Sequence, residues 1–143
     1  MLKLLVAIIL TLGVADQPLV ASWSILPARY WVKIENGLSK DILDAHCIGG
    51  GKKITDLGLQ HIPLNSNFNW TFKSELWKKV AYNCNLTSPS NGHLYYEAYE
   101  NDQSFEDRYC GGRHCTWKAA DDGLYLYHDK KKRYIRLGTW DKP

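Results

Sequence analysis

The sequence predicts an all-β fold, an antiparallel β-sandwich of about eight strands stabilised by disulfides. Three observations predict it. Short runs alternate apolar and polar residues, and no run carries a helical period. Turn signals separate these runs every 8–15 residues. Four cysteines follow a leader of secretory type, and in an oxidising compartment they read as two bridges.

The leader comes first. Lys3 precedes an apolar run from Leu4 to Val14, and Gly13 and Ala15 supply small residues at positions −3 and −1 of a cleavage site. Residues 1–15 are therefore expected to be a signal peptide, with cleavage after Ala21 as the alternative. The run is too short to span a bilayer, which needs about 20 residues, so no membrane insertion is expected. Of the 143 residues, 128 remain once these 15 are removed, with 17 basic residues against 15 acidic ones. So mild a balance gives no reason to expect a nucleic-acid partner, which calls for a clustered basic face. One domain is expected, over residues 28–143.

The strands follow in order. Tyr30, Val32 and Ile34 alternate with Lys33 and Glu35, a half-buried strand, and Asn36-Gly37 reads as a hairpin dipeptide. The return strand runs from about Ser39 to Ile48, with Leu43, Ala45 and Cys47 inward and Asp44 and His46 outward. Gly49 to Lys53 reads as a flexible loop. Its spacing does not match a phosphate loop, and no helix follows it. Asp56-Leu57-Gly58 and Ile62-Pro63 read as connection. Phe68, Trp70 and Phe72 then form an inward aromatic face. Val80, Tyr82 and Cys84 face inward on the next strand, and His93 to Tyr99 alternates again after the Ser88–Gly92 turn.

Asn69-Trp70-Thr71 and Asn85-Leu86-Thr87 are glycosylation sequons, and both asparagines lie on the outward parity of a strand. Cys110 and Cys115 flank a Gly111-Gly112 turn, and Trp117 shares the parity of Cys115. Asp122-Gly123 reads as a hairpin turn that leads into a Leu/Tyr-rich strand. Lys130-Lys131-Lys132-Arg133 reads as a solvated hairpin tip before the last strand, Tyr134 to Leu137.

The cysteines Cys47, Cys84, Cys110 and Cys115 allow three connectivities, which the sequence leaves open. A bridge stabilises a fold by about 2–4 kcal/mol. No Cys-x2-Cys pair occurs, so no metal site is expected. No cofactor motif is present. Five histidines are scattered over the chain, and a hydrolase would need His114 to converge with His46 or His93. Without such convergence the chain reads as a non-enzyme with no catalytic residues. Trp31, Trp77 and Trp140 could instead offer rings to a sugar, the basis of an alternative reading as a carbohydrate- or wall-binding module.

One ordered set of residues goes further. It comprises Val32-x-Ile34-x-Asn36, Leu43-x-x-His46-Cys47, Asp56-Leu57-Gly58, Trp70-x-Phe72 and Tyr82-x-Cys84. It continues with Cys110-x4-Cys115-x-Trp117 and Asp122-Gly123-Leu124-Tyr125. This set, spread from Tyr30 to Tyr127, resembles the plant self-incompatibility S-protein homologues. The chain departs from that pattern at Ile48 to Thr55, with its three glycines, and at Asn83. The resemblance implies a secreted, non-enzymatic signalling or recognition protein read by a membrane receptor on another cell, and the chain is expected to be a monomer. The loops expected to carry recognition are Gly49 to Lys53, the acidic segment with Glu100, Asp102, Glu106, Asp107 and Arg108, and the basic tip Lys130, Lys131, Lys132 and Arg133.

Overall fold

The structure, a computed structural model, describes residues 28–74, 79–101, 110 and 113–142. The leader with Ala15 and Ala21, Trp77, the Gly111-Gly112 turn and the acidic residues Asp102, Glu106 and Asp107 with Arg108 lie outside them. Among the described residues the chain forms nine strands. They are β1 (Arg29–Asn36), β2 (Leu43–Gly50), β3 (Thr55–Ile62), β4 (Asn67–Lys73), β5 (Ala81–Ser88), β6 (Gly92–Glu100), β7 (His114–Ala120), β8 (Gly123–His128) and β9 (Arg133–Gly138). They build two sheets, β4-β1-β7-β8-β9 and β3-β2-β5-β6.

The alternation of the sequence becomes the two sides of each sheet. Val32 and Ile34 from one sheet and Leu43, Ala45, Cys84 and Leu86 from the other are fully buried between the layers. An aromatic cluster ties the sheets together. The Phe72 ring lies 4.9 Å from Tyr82 and 4.8 Å from Tyr99, and Tyr30 lies 5.2 Å from Tyr99. Trp117 is buried, and its Nε1 donates to the Ala98 carbonyl across the sandwich at 3.1 Å. The acceptor stabilises the buried indole, because an unpaired buried N–H is costly.

Four features depart from the expectation. Thr55–Ile62, read as connection, is an edge strand, which brings the number to nine. Its pattern is blurred because the register against β2 shifts between His46 and Ile48 and Gly58 takes φ +81°, so Leu59 ends exposed. Asn36-Gly37 does not close a hairpin. It carries the chain from one sheet to the other, and the Asn36 side chain holds that crossing. Asn36 Nδ2 donates to the carbonyls of Asp41 and Ile62, and Oδ1 accepts from Leu38 N, all at 2.9 Å. The β1–β7 pair is parallel, while the other ladders are antiparallel. Two strands far apart in sequence can pair either way, whereas a short turn enforces the antiparallel arrangement. The β7–β8 hairpin is present, but Ala120 pairs with Gly123, so Asp121 and Asp122 form its turn and Gly123 opens the next strand.

The disulfides join Cys47 to Cys84 and Cys110 to Cys115. The first links directly opposed residues of β2 and β5, with Cα atoms 4.0 Å apart. The second closes a short loop at the entrance of β7.

Candidate recognition surface

Strand directions sort the connections between the two ends of the sandwich. β2 and β6 both run antiparallel to β5, so their C-terminal ends lie together. β8 runs antiparallel to β7, which is parallel to β1, so the end of β8 lies beside the start of β1. The Tyr30–Tyr99 contact then brings the start of β1 against the end of β6. The β2–β3, β6–β7 and β8–β9 connections therefore leave the same end. These are the three segments that loop composition singles out for recognition.

At this end Lys52, Lys53 and Lys130 to Arg133 are exposed. Lys132 takes φ +53° in the tip turn, and its Nζ lies 3.3 Å from Asp129. Lys131 N donates to Nδ1 of the buried His128, which anchors the tip from below. Glu100, one of the acidic candidates, is half-buried and already paired. Its carboxylate lies 2.6 Å from Lys79 Nζ, and the Lys79 hydrogen bond holds it below the usual carboxylate range. Burial, aided by Glu100, pushes the neighbouring Glu97 up. Glu100 thus braces the start of the acidic segment.

The opposite end is locked by short connections. Asp41 accepts from the Ser88 hydroxyl at 2.6 Å and from the Ser90 amide at 2.8 Å. Asp121 accepts from the Ser39 amide at 3.1 Å and from Asn91 Nδ2 at 3.5 Å. The Ser88 and Ser39 hydrogen bonds respectively hold the two carboxyl groups low. Trp140 Nε1 donates to the Ala120 carbonyl at 2.8 Å, and Asp141 bridges to His93 through the backbone. On the outer side of the five-stranded sheet a polar depression of about 350 Å³ lies among Glu35, Asn36, Asn65, Ser66, Asn67 and Lys118.

The tryptophans do not form a sugar platform among the described residues. Trp140 is buried, and one face of Trp31 is taken by the His114 ring, stacked at 4.5 Å. The histidines do not converge either. His114 lies outward on the five-stranded sheet, opposite Trp31 in register. His46 and His93 lie on the outer side of the other sheet. His46 Nε2 lies 2.7 Å from Asp56, and His61 pairs with Asp44. The Gly58 amide and then His46 hold the Asp56 carboxyl low. These pairs sit on an open sheet surface, where a reacting group would remain in water. Both sequon asparagines, Asn69 and Asn85, are exposed.

Residues 31–140 match the model of the family described as plant self-incompatibility protein S1. The chain belongs to this family. S-protein homolog 1 of Arabidopsis thaliana is 27% identical over 115 residues, 80% of this chain and 73% of that protein. S-protein homolog 74 of the same plant is 28% identical over 114 residues, 79% of this chain and 72% of that one. A solved structure from work on self-incompatibility protein homologues, a widespread family of small, highly stable, secreted plant proteins, matches with a TM-score of 0.58 at 22% identity. It covers 81% of this chain and 97% of its own. Its likeness shows the fold. Membership of the family makes the chain a secreted protein. The resemblance read from the cysteines and the aromatic spacing is thus the right one, and the fold class with it.

The strand-end clustering is what sequence reasoning missed. Its signal was present in the alternating strand directions, but those depend on pairing partners that no local pattern reveals.

Proposed function

We propose that this chain is an extracellular, monomeric, non-enzymatic ligand that offers the open end of its sandwich to a membrane receptor on another cell. The observation that carries this reading is the convergence at one end of the three charged connections, on a scaffold stapled by two disulfides. A rigid support lowers the ordering cost of binding, so loop chemistry goes into affinity and specificity. Exposed lysines at the tip favour a partner of negative potential and a salt-sensitive association rate.

Proximity labelling with the secreted protein on intact plant cells tests it. Charge reversal at Lys130, Lys131 and Arg133 is expected to abolish capture of a membrane protein that the wild type labels, with unfolding unchanged. Equal capture by both proteins would sink the reading. Labelling of wall polysaccharide alone would favour the binding-module reading instead.

A further inference from the structure

The outer side of the four-stranded sheet carries an unusual mixture. Across the middle of the sheet, Leu59 of β3, His46 of β2, Asn85 of β5 and Tyr95 of β6 lie in one register row. Tyr95 is 65% exposed and Leu59 56%. Ile48, in the next row opposite Asn83, is 41% exposed. Two histidine–aspartate pairs, His46–Asp56 and His61–Asp44, lie beside them. Single apolar side chains on a surface need no explanation, but three grouped about one point of a sheet do, Tyr95 directly beside it, Ile48 diagonal to it and Leu59 one strand further, beyond His46. That point is Asn85, the acceptor residue of a sequon. Thr87, the third residue of the sequon, lies on the same side of β5 and is exposed like Asn85.

We infer that Asn85 carries an N-linked glycan whose first sugars lie across this side of the sheet, against Tyr95, and cover the apolar side chains there. Directly opposed residues in an antiparallel pair have Cβ atoms about 5 Å apart. The first sugar on Asn85 Nδ2 therefore starts beside the Tyr95 ring, where its C–H face can pack. Covering Tyr95, Leu59 and Ile48 removes apolar surface from water, which favours the sugar lying down on the sheet.

In the linkage step Asn85 Nδ2 forms a bond to the anomeric carbon of an oligosaccharide carried on a lipid diphosphate. The anomeric C–O bond breaks, the lipid diphosphate leaves, and the amide gives up one proton. No redox change occurs. Asn69 is exposed too, but its side chain donates to Asn67, its direct neighbour on β1 is the charged Lys33, and the diagonal Trp31 already has one face against the His114 ring.

This inference rests on the secretory route of the chain and not on the receptor reading, since glycan mapping needs no receptor. The full chain is secreted from a plant host, and a glycopeptide amidase that leaves aspartate at each attachment residue is applied to the folded protein. Peptide mass spectrometry is expected to find aspartate at position 85, and asparagine there in a Thr87→Ala variant. Recovery of unmodified Asn85 from the wild type overturns the inference. Removing the sugar from the folded protein avoids any folding defect of a variant, and is expected to raise apolar-dye fluorescence several-fold. Combining Tyr95→Ser with Leu59→Ser before sugar removal is expected to abolish that rise. Dye fluorescence unchanged by sugar removal means that the glycan stands away from the sheet, and overturns the covering role.

Discussion

Replacing Asn36 by alanine tests how the two sheets are joined. The side chain is 2% exposed and makes three hydrogen bonds at 2.9 Å, to Leu38 N and to the carbonyls of Asp41 and Ile62. Two of those bonds are buried, so truncation orphans the Leu38 amide and takes one donor from the Ile62 carbonyl, which sits opposite Leu43 in the β2–β3 ladder. The Asp41 carbonyl is nearer water and can be solvated. An orphaned buried amide costs about 1–3 kcal/mol and the lost Ile62 bond about 0.5–1.5, so together they cost about 1.5–4.5 kcal/mol. Total stability of a domain is about 5–15 kcal/mol, which makes this a large fraction. At about 4 °C per kcal/mol for a domain of this size, Tm falls by roughly 6–18 °C.

Thermal and urea unfolding with the disulfides intact measures the loss, and an unchanged urea slope assigns it to the native contacts. Asn36→Asp sharpens the test. It keeps the acceptor for Leu38 N but sets a carboxylate against two carbonyl oxygens. It is expected to be at least as unstable as the alanine variant at pH 7, and to recover in part once acid protonates it. A loss below about 1 kcal/mol in the alanine variant, or an aspartate variant equal to wild type, would refute the crossing role of Asn36.

Other predictions concern the staples, the locked end and the core. The disulfide spanning 37 residues, Cys47–Cys84, is expected to contribute about 4 kcal/mol through chain entropy, and the five-residue Cys110–Cys115 loop about 2 kcal/mol, so paired serine variants in urea should rank in that order. Asp41 and Asp121 have lowered folded-state pKa values, so their contribution is complete above the unfolded aspartate pKa of about 3.9 and fades as pH falls through the folded values. Acid titration of stability in Asp41→Asn with Asp121→Asn should accordingly show a weaker pH dependence below that point, with lower stability at pH 7. Trp117→Phe removes the indole N–H that donates to the Ala98 carbonyl and should cost about 1–3 kcal/mol in urea unfolding, more than expected from the lost ring area alone.

Much of the fold is legible locally. Leu43, Ala45 and Cys47 are buried and Asp44 and His46 are not, as alternation requires. Residues two apart share a side of a strand whatever the partner, so side assignment survives ignorance of topology. The same argument places Asn69 and Asn85 outward. It loses force at β3 and at the end of β6, where register shifts between Tyr82 and Asn83 and both Ala98 and Tyr99 become buried. A bulge adds a residue without leaving a local mark in the sequence. Candidate residues chosen by type alone fared less evenly. Trp140 serves the core, Glu100 is held by Lys79, and His114 lies on the other sheet from His46 and His93.

By itself, then, the sequence determined that the chain is all-β, which side chains of most strands face inward, and which family it joins. Those properties rest on short-range periodicity and on residue identities at set spacings. The tertiary structure alone decided which strands are neighbours, and with that the parallel β1–β7 pair, the pairing of Cys47 with Cys84, the Asn36 crossing and the single end shared by three charged connections. Parity says which side a residue takes but carries no information about the strand beside it. That choice is made by the long-range burial of two sheets against each other, so it appears only when the whole chain is packed.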